Sequence, residues 1–184
     1  MLKKGHEIAT IDVAMVTLTT KDGTELGLTT ANKVNVDPKI ETTDAIQLII
    51  KGTLVAQKRE SSVLTGNTIT LTDNVFNPEL AVILQGGSIE LDEQQNIKSY
   101  TPPVSGSEAA LDPFTLNLYS AQYDASGLIV QYEKTEYPNC TGQPISLSSE
   151  DNVFRVSEYT IISAPDTGEA PYKMTYTKTL PELT

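Results

Sequence analysis

Residues 67–87 read NTITLTDNVFNPELAVILQGG, and this stretch decides how the chain is organised. Ile69 and Leu71 alternate with threonines, which is the period-two pattern of a half-buried β-strand. Asp73 and Asn74 follow, and their side-chain oxygens could accept hydrogen bonds from the free amides of a helix start. The stretch therefore predicts one strand that leads directly into one helix.

The second half of the same stretch predicts a short amphipathic helix over about residues 74–85. Pro78 suits a first helical turn because its ring fixes φ near the helical value. Gly86 and Gly87 end the helix, since glycine enters the left-handed region at little cost. Apolar residues recur at helical spacing at Leu80, Ile83 and Leu84. No other part of the sequence has a convincing helical pattern.

Size and composition fit a single domain covering residues 1–184. The chain has a mass of 20.0 kDa and 39% hydrophobic residues, which is enough for a buried core. No apolar run approaches the roughly 18 residues that a membrane-spanning helix needs. The N-terminal MLKKGHEIAT lacks the apolar region of a signal peptide. We therefore expect a protein made and retained in a cytoplasm, with no membrane partner.

A single cysteine, Cys140, and a single histidine, His6, exclude an internal disulfide and a zinc site built from cysteines or histidines. Cys140 lies in Pro138–Gly142, which has the composition of a turn. A nucleophilic cysteine needs a basic partner, and the only histidine is distant in sequence. We expect Cys140 to be a plain loop cysteine.

The chain is strongly acidic, with a net charge of −11 and a sequence pI of about 4.4. Such a surface repels nucleic acid, so sequence-specific DNA binding is not expected. The charge has two interpretations. It keeps the protein soluble, or it forms a surface that stays close to DNA without adhering to it.

Alternating apolar residues predict strands along most of the chain, over residues 8–20, 25–30, 45–57, 88–91, 97–100, 114–119, 128–137, 152–163 and 172–179. Turn sequences separate them, including Lys21–Thr24 with Asp-Gly at its tip and Asp124–Gly127. These elements predict a mainly β fold, an antiparallel β-sandwich or open barrel, with the one helix packed on its flank.

Two polar segments, residues 31–44 and 101–112, lack sustained periodicity and are predicted to be long loops or extended arms. Structureless segments of this length are uncommon in compact domains and are often functional. Residues 58–62 are predicted to break the preceding strand with a group of charges. Residues 137–144 are predicted to form another loop.

No enzyme motif was found, and no catalytic, cofactor-binding or metal-binding residue is predicted. The glycines lie at turns, and Gly86 and Gly87 follow a helix instead of opening one, so no phosphate loop is present. Glu90, Asp92 and Glu93 form an acidic group, interpreted as a solvated hairpin in preference to a calcium site. The chain has no tryptophan and only 6% aromatic residues, so few side chains could stack on sugar rings.

The segment from Ile50-Lys51-Gly52-Thr53-Leu54 to Gly87, together with the terminal APDTGEAPYKMTYTKTLP, resembles the major tail tube proteins of tailed bacteriophages and phage-tail-like particles. The shared features are a strand, a short Asn-Pro-Glu-Leu helix ending in Leu-Gln-Gly-Gly, and a closing Pro-Tyr strand.

That resemblance implies a structural role in the virion tail. Members of the family form hexameric rings that stack into a hollow tube through which DNA passes during infection. Their partners are further copies, tape measure, tail terminator and baseplate proteins, and a sheath in contractile tails. The tube would be assembled in the cytoplasm of a bacterial host. No cofactor is implied.

On this basis residues 31–44 or residues 101–112 are expected to mediate contacts between rings, because both segments are long and polar. The alternative function is a carbohydrate- or surface-binding β-sandwich, such as an adhesin, baseplate or fibre module. A hydrolase with a carboxylate pair is a third and weaker alternative.

Overall fold

The fold is mainly β and antiparallel, with one short helix in the part of the chain that the structure describes. A computed structural model describes residues 9–107, 111–147, 150–152 and 155–183. Its strands are β1 Thr10–Thr20, β2 Glu25–Leu28, β3 Ala31–Thr43, β4 Ile46–Ile50, β5 Thr53–Lys58, β6 Ser61–Asp73, β7 Ser88–Leu91, β8 Ile97–Thr101, β9 Phe114–Tyr123, β10 Ile129–Gly142, β11 Ser146–Leu147, β12 Ser157–Ser163 and β13 Lys173–Thr177. The helix α1 is Pro78–Gln85.

The large sheet runs in the order β2-β1-β9-β10-β12-β6-β3, with β11 beside β12 and β13 beside β10. Strand β10 divides the sheet, because its outer edge pairs with β13 over Tyr132–Glu136 and with β12 over Cys140–Gly142. The two ends of the sheet approach each other, since β1 contacts β3 without pairing to it. The result is the antiparallel sandwich or open barrel that the sequence predicts.

The core lies between the two parts of the sheet and under the helix. The alternation in β1, β6, β9 and β12 directs every second side chain inward, as a half-buried strand requires. The fully buried apolar residues from these strands and from α1 include Val16, Leu18, Ile69, Leu71, Leu80, Leu84, Leu116, Tyr159 and Ile161.

Helix α1 begins later than predicted, at Pro78, and Asn77 caps it in place of Asp73 or Asn74. The Asn77 side chain accepts a hydrogen bond from the Leu80 amide at 3.0 Å. Asp73 is instead the last residue of β6, fully buried, and its Oδ1 accepts from the Val75 amide. Gly86 ends the helix as predicted, with φ at 80°.

Polar bonds fix the C-terminal end of α1 to its surroundings. The Gln85 side chain donates to the Tyr100 hydroxyl at 2.8 Å and accepts from the Ile145 amide at 2.8 Å. The Tyr100 hydroxyl in turn donates to the Gly86 carbonyl at 2.8 Å. The flank position predicted for the helix is therefore maintained by hydrogen bonds as well as by burial of Leu80 and Leu84.

The structure differs from three predictions about segments. Residues 31–43 form a strand, β3, instead of a loop, because their backbone pairs with β6 and needs no apolar pattern to do so. The single strand predicted over residues 45–57 is a hairpin of β4 and β5, and Leu54 faces Ile49 instead of sharing a side with Ile46. The strand break predicted over residues 58–62 is present but shorter, at residues 59–60, since β5 ends at Lys58 and β6 starts at Ser61.

The loop predicted over residues 137–144 is also wrong up to Gly142, because β10 continues to that residue. The ladder with β9 shifts between Tyr137 and Cys140, which leaves Pro138 and Asn139 in a bulge. Proline, which has no amide hydrogen, is tolerated there. After β8, residues 102–107 and 111–113 contain no strand or helix, as predicted for the 101–112 connection; residues 108–110 lie outside the described ranges.

Candidate assembly surface

The feature that separates this molecule from a closed β domain is a long hairpin that leaves the body of the protein. Every residue from 37 to 65 is exposed, whereas Gly66 and Asn67, where the second strand returns, are buried. We call residues 37–65 the arm. It consists of the outer ends of β3 and β6, followed by the β4–β5 hairpin.

The two strands of the arm keep one register throughout most of its length. Thr43 faces Ser61 at the end of the inner part, and Ile46 faces Lys58 at the start of the outer part. Two residues on each strand, 44–45 and 59–60, separate the two parts without strand pairing. The arm is therefore a single hairpin with a joint in the middle.

A tight two-residue turn forms the end of the arm. Ile50 pairs with Thr53, and the intervening Lys51 and Gly52 have φ angles of 47° and 79°. Two positive φ angles define the turn type that matches the twist of a hairpin. Gly52 adopts this conformation without cost, and Lys51 is one of the few non-glycine residues that do so here.

Large apolar side chains cover both sides of the arm. Because paired residues share a face, Leu48 with Ala56 lies on one side and Ile49 with Leu54 lies on the other. About half or more of each side chain is exposed in most of the set: Ile40, Ile46, Leu48, Ile49, Ile50, Leu54, Val55, Val63 and Leu64. A soluble monomer rarely exposes apolar residues so densely, and such patches mark interaction sites.

Charge is distributed unevenly between the arm and the body. Residues 45–59, which we call the tip, contain Lys51, Lys58 and Arg59 and no acidic residue. The whole chain carries −11, so the remainder is more acidic still. The tip is thus a basic and apolar element on an acidic protein.

The structure also has an open groove of about 640 Å³. It lies between the β1–β2 turn, the C-terminal half of α1 and, after β8, residues 103–107 and 111–112. Its lining includes Asp22, Val82, Ile83, Val104, Leu111 and Asp112. The groove combines apolar walls with two carboxylates, and Val104 is 79% exposed.

The face of β1, β9 and β10 that points away from the hydrophobic core carries several polar side chains, of which Thr17 and Asn117 are buried. Thr17 faces Asn117, which faces Glu136, across the three strands. The Asn117 amide donates to the Thr17 hydroxyl at 3.1 Å, and Lys134 pairs with Glu136 at 3.0 Å. Leu183, near the C-terminus, lies against Gly27 of β2.

The acidic group at Glu90, Asp92 and Glu93 is engaged locally. The Asp92 carboxylate accepts hydrogen bonds from the Gln94 and Asn96 amides at 2.9 and 2.8 Å, and hydrogen bonding to Asn96 lowers its pKa. Glu90 pairs with Lys98 at 2.6 Å. The group is a hairpin turn with a cross-strand ion pair, consistent with a solvated hairpin.

Cys140 is not a loop residue, which corrects the expectation from sequence. It lies in β10 and is fully buried, with its thiol donating to the Tyr137 carbonyl at 3.3 Å. Burial raises the pKa of the thiol to about 11. The turn-like composition of Pro138–Gly142 reflects the bulge and not a loop.

Across the described ranges, no three His, Cys, Asp or Glu side chains converge as metal ligands would. In the same residues no helix is both long and apolar enough to cross a membrane. The exposed apolar side chains of the arm and the apolar walls of the groove are the features that a functional proposal has to explain.

No model of a known protein family matches the sequence, and no curated protein does. Among solved structures, a chain of the anti-feeding prophage baseplate, determined by cryo-electron microscopy with sixfold symmetrisation, is similar. The match covers 95% of this chain and 97% of that chain, with 8% sequence identity and a TM-score of 0.40. At this TM-score the likeness supports no conclusion about the present protein.

Proposed function

We propose that the protein is a structural subunit of a phage-tail-like particle, which forms hexameric rings that stack into a hollow tube for DNA. The single observation that carries the proposal is the arm, residues 37–65, exposed on every residue and apolar on both faces. The sequence resemblance to tail tube proteins, over Ile50–Gly87 and the terminal strand, supports the same role.

The physical case for self-assembly rests on the stability of the arm. An isolated two-stranded hairpin is marginally stable in water, because it has no third layer to cover its apolar side chains. Burial of a side chain such as Ile49 or Leu54 contributes about 1.5–3 kcal/mol. A partner that covers both faces of the arm would therefore stabilise the hairpin and gain affinity from the same contacts.

The acidic body suits the proposed conduit. Phosphate contacts would retard DNA, and a surface with an excess of carboxylates does not offer them. The proposal includes tape measure, terminator and baseplate proteins as partners, location in the virion tail, and no catalytic role.

The element assigned to ring contacts is the arm, and a deletion that tests it has to leave the rest of β3 intact. Removing Asn35–Thr42 would delete β3 positions that pair with β6, including the half-buried Val36. A cleaner variant joins Asp44 to Glu60 through Asn-Gly. It removes only the tip and retains the register, because residues 44 and 60 occupy opposed positions between the two paired segments.

The test compares the wild-type protein with this tipless variant by negative-stain microscopy and sedimentation velocity. We expect rings or tubes from the wild type, and a folded variant with unchanged circular dichroism that no longer forms tubes. A wild-type protein that stays monomeric at millimolar concentration would refute the proposed function. Normal tubes from the tipless variant would refute the role of the arm.

A further inference from the structure

We infer that the groove is the receptor for the tip of a second copy of this chain, so that each subunit carries both halves of one contact. The inference rests on the proposed function and specifies which surfaces meet. The two surfaces proposed to meet are the apolar, basic end of the hairpin on one copy and the open groove on another copy, which has apolar walls and two carboxylates.

Apolar complementarity is the first argument. The tip presents Ile49 and Leu54 on one face and Ile50 at its end, each at least half exposed. The groove offers Val82, Val104 and Leu111 as walls. Its volume is about 640 Å³.

Charge complementarity is the second argument. Lys51 lies at the end of the tip, and Lys58 and Arg59 follow on the returning strand. The groove has the carboxylates of Asp22 and Asp112 and one lysine, Lys21. Hydrogen bonding from Thr20 lowers the pKa of Asp22, and an exposed aspartate is ionised at neutral pH in any case. Opposed charges of this kind favour the correct partner and speed encounter.

The geometry explains why the partner is another copy. The arm extends roughly 40 Å from Lys39 to its turn, at about 3.4 Å per residue. All of its residues are exposed in their own subunit, so it does not fold back onto the body. A tip on one region that fits a groove on another makes a head-to-tail contact, which generates rings or filaments.

Cysteine cross-linking tests the contact directly. Cys140 is the only native cysteine and is fully buried, so introduced surface cysteines are the accessible thiols. A Thr53→Cys variant, which has its new thiol at the tip, is mixed under mild oxidation with a Ser107→Cys variant, which has its new thiol in the groove. Gln94→Cys, on the exposed β7–β8 turn, is the matched control.

We expect a disulfide-linked dimer of Thr53→Cys with Ser107→Cys, and at least about tenfold less with Gln94→Cys. Equal cross-linking to both positions, or to neither, would overturn the inference. A strong Thr53→Cys homodimer would also overturn it, because that product indicates tip-to-tip contact.

A charge introduced into the groove provides the second measurement. Val104→Glu places a carboxylate on the wall that receives apolar and basic residues, and we expect the assembled fraction to fall at least about tenfold. Val75→Glu changes a similarly exposed valine outside the groove, and we expect less than about a twofold change. Equal assembly by both variants would overturn the inference.

The two proposals fail in different ways. If the wild type forms tubes and Val104→Glu also forms them, the groove is not the receptor and the tube function stands. If the wild type forms only chains or dimers, but the tip cross-links to the groove, the contact stands and the tube function fails.

Discussion

Gly142 of β10 lies against the backbone of Leu84 in helix α1. A Cβ atom built on Gly142 would lie 2.6 Å from the carbonyl carbon of Leu84, and closer still to its oxygen. The obstacle is main chain, which cannot move away by changing a rotamer. Glycine at this position therefore sets how closely the helix approaches the sheet.

Gly142→Ala should lower the free energy of unfolding by about 1–3 kcal/mol, because overpacking of this kind displaces backbone. Urea denaturation measures this change in the free energy of unfolding. Gly27→Ala is the matched control, since its Cβ meets only the side chain of Leu183, which is free to rotate. A Gly142→Ala variant as stable as Gly27→Ala would show that the helix sits farther from β10 than described.

Leu84→Ala should cost about 2–5 kcal/mol of stability, as expected for a fully buried leucine that leaves a cavity. Leu84→Asp should cost more, because it buries an unpaired charge, and should abolish assembly by unfolding the subunit. Thermal denaturation of each variant, with Val75→Ala as an exposed control, checks both. Equal midpoints for Leu84→Asp and wild type would contradict the packing of α1.

Gly52→Val should weaken the arm without affecting the body. Valine at a φ of 79° is strained by about 1–3 kcal/mol, and no neighbouring atom lies within 4 Å of the new Cβ to add to that effect. Sedimentation velocity should show reduced assembly, while the thermal midpoint of the body stays unchanged. Thr53→Val, which keeps the turn, should assemble normally; a shared defect would contradict the role of the turn.

Asp124 should give a pH-dependent contribution to stability through the β9–β10 turn. Hydrogen bonds from Ser126 and Leu128 lower its pKa below 3.8 in the folded protein. A lowered folded-state pKa stabilises the protein above the unfolded value, and this stabilisation is lost as the pH falls through the folded value. The carboxylate is fully exposed, so the effect should be small.

Thermal midpoints of wild type and Asp124→Asn between pH 7 and pH 2 check this prediction. The difference should be constant above about pH 5 and should shrink below about pH 4. Glu93→Gln, an exposed acid of the β7–β8 turn, controls for the general loss of one charge. A difference that widens below pH 4 would contradict the predicted sign.

Cys140 should be unreactive in the native state. The thiolate is the reactive form, and burial raises the pKa of this thiol to about 11, so little thiolate is present at pH 8. Labelling with a thiol reagent should be at least about tenfold slower in buffer than in denaturant. Labelling at the same rate in both conditions would show that β10 opens readily at its bulge.

Local chemistry was sufficient to predict several elements from the sequence. The Asp-Gly turn after β1 and the end of α1 at Gly86 follow from conformational preferences of single residues. The position of Asn77 immediately before Pro78 could have identified the helix cap, because a cap precedes the first helical residue.

The arm was not predictable in the same way. Strand β3 has no apolar alternation in its outer half, since neither of its faces is buried in the subunit. The β4–β5 turn carries Lys51 where asparagine or aspartate is usual, so the sequence pattern predicts one strand where the structure has a hairpin. Pairing between distant segments, such as Val36 with Ile69, fixes this region, and a pattern within one segment cannot report it.

At the joint, residues 44–45 and 59–60, the length of the arm determines which way the faces of its outer half point. Since side chains alternate along a strand, removing one opposed pair would rotate the outer half by half a turn and swap the faces bearing Leu48 and Ile49. Removing two opposed pairs would shorten the reach by about 7 Å and restore the original faces. Functional relatives should therefore differ in the length of this hairpin by even numbers of opposed residue pairs.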